Sequence, residues 1–519
     1  MASSILFIIF VATLILHVSI SYSSILVLPL THSLSKSQFN TTPHLLKSTS
    51  THAATRFRHR LHSQNQKQTH RLQVSLPLNP GSDYSLSFTL GSQTISLYMD
   101  TGSDIVWLPC HPFDCMLCEG KFNPSTIPYT APLNITSATP VTCKSRACSV
   151  AHSSHPTSDL CAVARCPLEE IETSDCKKFS CPPFYYAYGY GSLIAHLYSD
   201  NLSLSLSSPS LVLNDFKFGC AHSTLGEPIG VAGFGRGALS MPAQLASSSP
   251  EIGNHFSYCL VSHSFDTDRV RMPSPLILGR YNSAGENKDR RTDSPGTDPV
   301  YTPMLKNPKH PYFYCVGLEG LSVGKKKIAA PENLRRVDGR GDGGMVVDSG
   351  TTFTMLPPGL YESVVDSGTT FTMLPPGLYE SVAAEFDNRV GSVYKRASDV
   401  EGRTGLGPCY YVAGGDVKVS SNVVVPQLLL HFGGNSSVVM PRRNYFYEFL
   451  DGGDDGKVKR KVGCMMLMNG GDESESGGPA GVLGNYQQQG FEVVYDLEQE
   501  RVGFARRKCA SLWDTLNQH

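Results

Sequence analysis

The sequence predicts an all-β dominated chain folded as two lobes with a few short helices. Two observations predict it. The stretch Tyr98-Met99-Asp100-Thr101-Gly102-Ser103-Asp104-Ile105-Val106-Trp107 has a partner far downstream, Met345-Val346-Val347-Asp348-Ser349-Gly350-Thr351-Thr352-Phe353, with the same grammar: apolar strand, Asp, Thr or Ser, Gly, then hydroxyl and apolar residues. Each is followed by an apolar-apolar-Gly segment, Ile229 to Phe234 and Ala480 to Asn485, suited to crossing beneath its Asp loop. At 519 residues the chain is long enough for two good-sized cores, one per motif.

Either motif alone is an ordinary turn in most proteins; the pair is the signal. A carboxylate that ends an apolar strand in a tight Gly turn is desolvated on one side and held by backbone N–H and hydroxyl groups, which suits it to acid/base work. Two such carboxylates about 3 Å apart cannot both ionise, so they share a proton and one serves as base while the other serves as acid.

With these residues in view, the chain from about Tyr84 to Cys509 resembles the pepsin-like aspartic proteases, and most closely their plant nepenthesin-type branch. The resemblance implies a bilobal pepsin-like aspartic protease fold and an aspartic endopeptidase that needs neither metal nor cofactor. It implies Asp100 and one downstream aspartate as the catalytic pair, with Ser103 and Thr351 (or Thr369) holding the carboxylate planes. Tyr188, within Phe184-Tyr185-Tyr186-Ala187-Tyr188-Gly189-Tyr190-Gly191-Ser192, matches the family's flap tyrosine, and Trp107 matches the tryptophan that supports it. Trp107 also reads as a core aromatic. Gly102, Gly350, Thr351 and Tyr188 are the implied substrate contacts. For the second lobe the resemblance implies disulfides Cys315 with Cys509 and Cys409 with Cys464.

Taken in order, Ile5 to Ile20 is an apolar run ending in small and polar residues, which reads as a signal peptide over 1–24. Its first four residues carry no Lys or Arg, so an uncleaved anchor is the competing reading, on a run slightly short for a bilayer. Residues 25–75 carry seven Lys and Arg, and no acidic residue occurs before Asp83. The formal net charge of −1 therefore leaves about −8 for the rest, so a cationic prosegment should be drawn to an anionic body and released as acid protonates its carboxylates.

The first lobe is expected over 76–285. Ser85 to Leu97 alternates like a strand pair around Gly91-Ser92. Nine cysteines then crowd residues 110–181, a Pro/Ser/Thr-rich insert with few apolar runs, where bridges would staple loops short of core. Cys115-Met116-Leu117-Cys118 has zinc-knuckle spacing, but no second matching pair follows and disulfides are the favoured use. Fifteen cysteines is an odd number, so at least one thiol is left over. A polar linker at 286–299 leads to the second lobe at 300–519. Sequons at Asn134, Asn201 and Asn435 suit a secreted glycoprotein, and the expected compartment is extracellular, cell wall or vacuole.

The second lobe holds an anomaly. The 18 residues Val346 to Ser363 recur unchanged as Val364 to Ser381, where a pepsin-like fold has room for one copy. Asp348 keeps Met345 behind its strand, whereas Asp366 has Ser363 there; Asp366 in turn keeps an unbroken run into a predicted helix, Tyr379 to Val390. The reading favours Asp348, with the surplus residues expected to interrupt that helix. Asp366, or a site spoiled by the insertion, are the alternatives.

The function expected is hydrolysis of polypeptides at acid pH by a monomer with no nucleic-acid partner. The rival is an inactive binding protein of the xylanase-inhibitor type, which keeps the architecture without a working dyad. A serine hydrolase is disfavoured: the one Gly-x-Ser-x-Gly match, Gly320-Leu321-Ser322-Val323-Gly324, leads from a strand-like stretch into a charged loop, not into a helix.

Overall fold

A computed structural model describes residues 26–32, 84–116, 132–188, 191–204, 211–225, 229–250, 252–261, 274–279, 298–349, 353–354, 371–413, 424–452, 460–470 and 478–516. The signal segment, the basic residues of the leader and most of the linker lie outside them. No helix among the described residues is long and apolar enough to cross a membrane.

Each half of the chain builds the same local device. Tyr84–Leu90 buries every second residue and turns through Gly91-Ser92 into Gln93–Asp100, paired antiparallel from Ser85↔Tyr98 to Leu90↔Gln93. Gly91 sits at φ +57°, and a Cβ there would lie 2.6 Å from Ser137 Oγ, so only glycine fits this turn. The far end of Gln93–Asp100 then pairs in parallel with Val231–Gly233, Asp100 opposite Gly233. In the second half Met345–Val347 pairs in parallel with Gly481–Leu483, Val347 opposite Leu483. Both apolar-Gly segments thus run beside the strand that delivers their aspartate.

A six-stranded antiparallel sheet joins the halves. Its order is Leu26–His32, Ser274–Leu278, His255–Cys259, Phe491–Asp496, Arg501–Arg506 and Val300–Leu305. Packed aromatics, Phe256 stacked on Tyr495 at 4.6 Å and Tyr314 tilted against Tyr495 at 4.4 Å, fill the space between this sheet and the aspartate loops. The outermost strand belongs to the segment read from sequence as a detachable prosegment. All seven of the leader's cationic residues follow His32, so the charged part of the leader and its structural part are separate stretches.

The second lobe adds two four-stranded sheets, one built around Leu318–Val323 and Leu428–Phe432, the other around Cys409–Ala413 and Arg460–Met465. In the first lobe a helix runs Met241–Ser248 with Ser240 as its N-cap, its side chain accepting from Ala243 N–H.

The cysteine-rich insert is more ordered than expected. Short helices Arg146–Ala151, Thr157–Val163 and Leu168–Glu172 are tied by Cys143–Cys161, Cys148–Cys181 and Cys166–Cys176. Cysteines supply most of the buried side chains in its smallest cluster, so cross-links substitute for the missing apolar core. In the second lobe Cys409 is joined to Cys464. The other pairing is corrected: Cys509 bridges to Cys259, the last residue of the strand His255–Cys259, and Cys315 is a buried free thiol. The reason is position. Cys315 pairs across the backbone with Val346, beside the second aspartate loop, while Cys509 begins a C-terminal helix, Cys509–Leu516. Burial pushes the Cys315 thiol up to about 12, which leaves it unreactive.

Candidate active site

Asp100 is the last residue of Gln93–Asp100 and Asp348 directly follows Met345–Val347, and both are fully buried. On the first loop Gly102 N–H donates to Asp100 Oδ1 (2.8 Å), so the tight turn itself holds the carboxylate. Phe234 N–H donates to Asp100 O (2.6 Å), tying the loop to the crossing segment. On the second loop Asp348 N–H donates to Leu483 O (3.2 Å) and Val347 N–H to Tyr314 O (3.0 Å). Close approach makes glycine necessary: a Cβ on Gly233 would lie 2.5 Å from Ile105 O, and one on Gly230 2.4 Å from Trp107 O.

The two loops touch. Ser349 N–H donates to Thr101 Oγ1 (2.9 Å), and the Thr101 hydroxyl reaches Val347 O (3.4 Å) and Asp348 Oδ1 (3.5 Å). Residues adjacent to the two aspartates are therefore in direct contact across the halves of the chain. Asp348 is the downstream aspartate brought to this contact; Asp366, Gly350, Thr351 and Thr369 lie outside the described residues.

The repeat is divided between two jobs. Its first copy supplies the Asp348 loop. Its second supplies Phe371, the strand Thr372–Leu374 beside Leu467–Asn469, and the first six residues of the helix Pro376–Phe386. The expectation that surplus residues interrupt the helix is corrected: they fall between Ser349 and Phe371, before the helix begins. Physically, a break inside a helix forfeits its backbone bonds, whereas a break beside a Gly turn forfeits few. Within the surplus, Phe353–Thr354 pairs antiparallel with Phe184–Tyr188, Phe353 opposite Tyr188.

Tyr188 ends the strand Phe184–Tyr188, opposite Gly191 of Gly191–Leu204; its side chain lies outside the described part. The tyrosines packed in the Trp107 cluster are Tyr98 and Tyr186, together with Phe184, Leu193 and Ala195, so Trp107 is a core aromatic beneath this hairpin. Ser103 is buried, and its Oγ has no hydrogen-bond partner among the described residues; the turn's own Gly102 N–H holds Asp100 instead. Asn134, Asn201 and Asn435 are all exposed, as a sequon requires.

Two features escaped the sequence reading. Asp104, four residues after Asp100, accepts from Gly237 N–H (2.6 Å), and a Cβ on Gly235 or Gly237 would lie 2.5 or 2.2 Å from its carboxylate oxygens. The run Gly233-Phe234-Gly235-Arg236-Gly237 was the available signal. Burial pushes the Asp104 carboxyl up to about 7 from an ordinary 3.8, while Gly237 N–H and the Arg236 charge pull the other way. A carboxyl raised in the folded state gives stability that is fully present below about pH 4 and is lost as pH rises through about 7. Unfolding free energy should thus fall across that window by on the order of 4 kcal/mol more in the wild type than in Asp104→Asn. Denaturant titrations at a series of pH values check this; parallel curves for the two proteins would refute it.

The second feature is Asn485–Gln488, a buried polar helical turn after the second crossing segment. Gln487 Oε1 accepts from Thr372 N–H (2.7 Å) and from the Thr372 hydroxyl (2.9 Å), and its Nε2 donates to Asn444 O (2.7 Å) and Met466 O (2.8 Å). Three consecutive glutamines after an apolar-Gly strand were the clue, since such residues are seldom buried unless every polar atom is used.

Comparison with known proteins agrees with this geometry. The family model described as "Xylanase inhibitor N-terminal" matches residues 84–280, and "Xylanase inhibitor C-terminal" matches 313–367 and again 362–506, the two matches meeting at the repeat. A "Probable aspartyl protease" of Arabidopsis thaliana is 55% identical over 518 residues, covering 96% of each chain. "Aspartic proteinase nepenthesin-1" of Nepenthes gracilis is 27% identical, covering 83% of this chain and 78% of its own. Among solved structures, basic 7S globulin from soybean superposes with TM-score 0.55 at 16% identity over 94% of this chain and 99% of its own, a likeness of fold. With a dyad-like pair of aspartate loops and relatives that match it over nearly its whole length, the chain belongs to the plant pepsin-like aspartic proteases.

Proposed function

We propose that the protein is a secreted or vacuolar endopeptidase that hydrolyses peptide bonds at acid pH with a water held between Asp100 and Asp348. The observation that carries this reading is the contact between the two aspartate loops, Ser349 N–H on Thr101 Oγ1. In the reaction the ionised aspartate takes a proton from the water as it attacks the scissile carbonyl. The protonated aspartate donates to the developing oxyanion and later assists departure of the amine. Gly102 N–H, already on Asp100 Oδ1, keeps that carboxylate oriented while its charge changes. Gly350 and Thr351 are proposed to line the peptide on the second side and Tyr188 to close over it, which would exclude water during turnover.

The matched family models carry an inhibitor's description, which keeps a binding protein as the second reading. Retention of both strand-ending aspartates favours the enzyme. The test is cleavage of a denatured protein across pH: a bell-shaped profile with an acidic optimum, sensitivity to pepstatin, and loss in Asp100→Asn are expected. Cleavage undiminished in Asp100→Asn would rule the dyad out. No cleavage at any pH, with binding to a glycoside hydrolase, would favour the second reading.

A further inference from the structure

Behind the aspartate loops lies a buried polar chain that the reaction as described does not use. Tyr258 stands on His255–Cys259 and Tyr495 on Phe491–Asp496, neighbouring strands of the sheet that joins the halves. The Tyr258 hydroxyl donates to Gln488 Oε1, and the Tyr495 hydroxyl lies 2.8 Å from that of Tyr258. Since the Tyr258 proton is committed to the amide, Tyr495 is the donor between the two tyrosines. The Gln488 Nε2 then spends both its protons on backbone carbonyls, Asp348 O at 2.7 Å and Leu483 O at 2.8 Å. Tyr258 and Tyr495 are wholly buried and Gln488 is 1% exposed, so water does not substitute for any of these bonds.

One peptide unit receives both ends of this arrangement. The Asp348 carbonyl accepts from Gln488, and the N–H of the same peptide, that of Ser349, donates to Thr101 Oγ1 from the first loop. In a trans peptide these two groups point in opposite directions, so the unit is gripped from behind and from in front at once. Asn485 Nδ2 reaches the next carbonyl, Ser349 O, at 3.4 Å. The Asp348 carboxylate hangs from the Cα at the edge of this plane. Its place relative to Asp100 therefore follows from the plane's orientation.

We propose that Gln488, oriented by Tyr258 and Tyr495, is a positioning residue: it clamps the Asp348–Ser349 peptide against Thr101 and so sets the register of the two aspartates. The proposal rests on the aspartic peptidase reading for its kinetic consequence, though not for the clamp itself. Displacing a catalytic group by about 1 Å can cost on the order of 100-fold in rate. Loss of register also weakens the sharing of one proton, which narrows the pH range over which one aspartate is ionised and the other is not.

The experiment compares wild type, Gln488→Leu and Tyr258→Phe in the full chain by two measurements. Hydrogen exchange of the peptide covering Met345 to Ser349 reads the clamp without reference to activity. Exchange there should accelerate roughly tenfold or more in both variants, while the first-lobe strand Gln93–Asp100 is unchanged. Turnover of a peptide across pH reads the consequence: kcat should fall by about 10- to 100-fold with KM little changed, and the bell should narrow. Tyr258→Phe keeps the ring's shape, so it gives the answer should Gln488→Leu fail to fold. Unaltered exchange at Met345 to Ser349, or acceleration spread evenly over the chain, would overturn the clamp. Local acceleration with an unaltered bell would overturn the register. A wild type that cuts nothing speaks against the peptidase reading, and the exchange measurement still decides the clamp.

Discussion

Asp348→Asn is expected to lose acid peptidase activity by roughly 10²- to 10⁴-fold, the range a general acid–base group contributes, whereas Asp366→Asn should stay within about threefold of wild type. The two residues sit in identical 18-residue stretches, so locally only the residue before each stretch, Met345 or Ser363, separates them. Partners in space do. Asp348 follows the strand Met345–Val347, which is held by Gly481–Leu483 on one side and Cys315–Val316 on the other. Its loop takes Thr101 from the first half and Gln488 from behind. The second copy's strand and helix are already committed elsewhere, at Leu467–Asn469 and in the buried face of Pro376–Phe386. Initial rates on a fluorogenic peptide at the pH optimum decide the matter. Activity that survives in Asp348→Asn and vanishes in Asp366→Asn would show that the second copy supplies the catalytic aspartate.

Removing one copy of the repeat should raise activity. Deleting Val346 to Ser363 or Val364 to Ser381 yields the same single-copy chain, so the experiment needs no choice of endpoint. The shortened chain keeps an Asp loop, the buried strand Thr372–Leu374 and the helix that follows, each with its present partners. What it loses is the pairing of Phe353–Thr354 with Ala187 and Tyr188. On its other side that strand is paired with Gly191–Leu204, so Phe353–Thr354 occupies the edge to which an extended peptide would add as a further strand. The two residue pairs, at about 1 kcal/mol of backbone pairing each, correspond to roughly tenfold to thirtyfold in kcat/KM once that edge is free. Comparison of kcat/KM for the two chains on one peptide tests this. Equal values, or a less active single-copy chain, would mean that the surplus residues do not compete with substrate.

The readability of this protein varied with how local each feature is. Alternation in Ser85 to Leu97 and the paired Asp-Thr-Gly and Asp-Ser-Gly turns declared strands and loops, because period-two burial and tight turns are written within a few residues. Cysteine partners were less legible. Cys509 meets Cys259 only because the six-stranded sheet brings the end of one half beside the other, and no spacing rule contains that fact. Asp104 and Gln488 were passed over for a related reason: each is an ordinary polar residue until burial forces its hydrogen bonds to be accounted for.

By itself, the sequence determined the class of the chain, its two lobes and the pair of aspartate turns, since strand periodicity and Gly turns are properties of short segments. Only the tertiary structure decided which of two identical copies meets Thr101, where the surplus residues leave the chain, and which glutamine grips the second loop. Identical sequences have identical local energies; contacts made across the fold are what tell them apart.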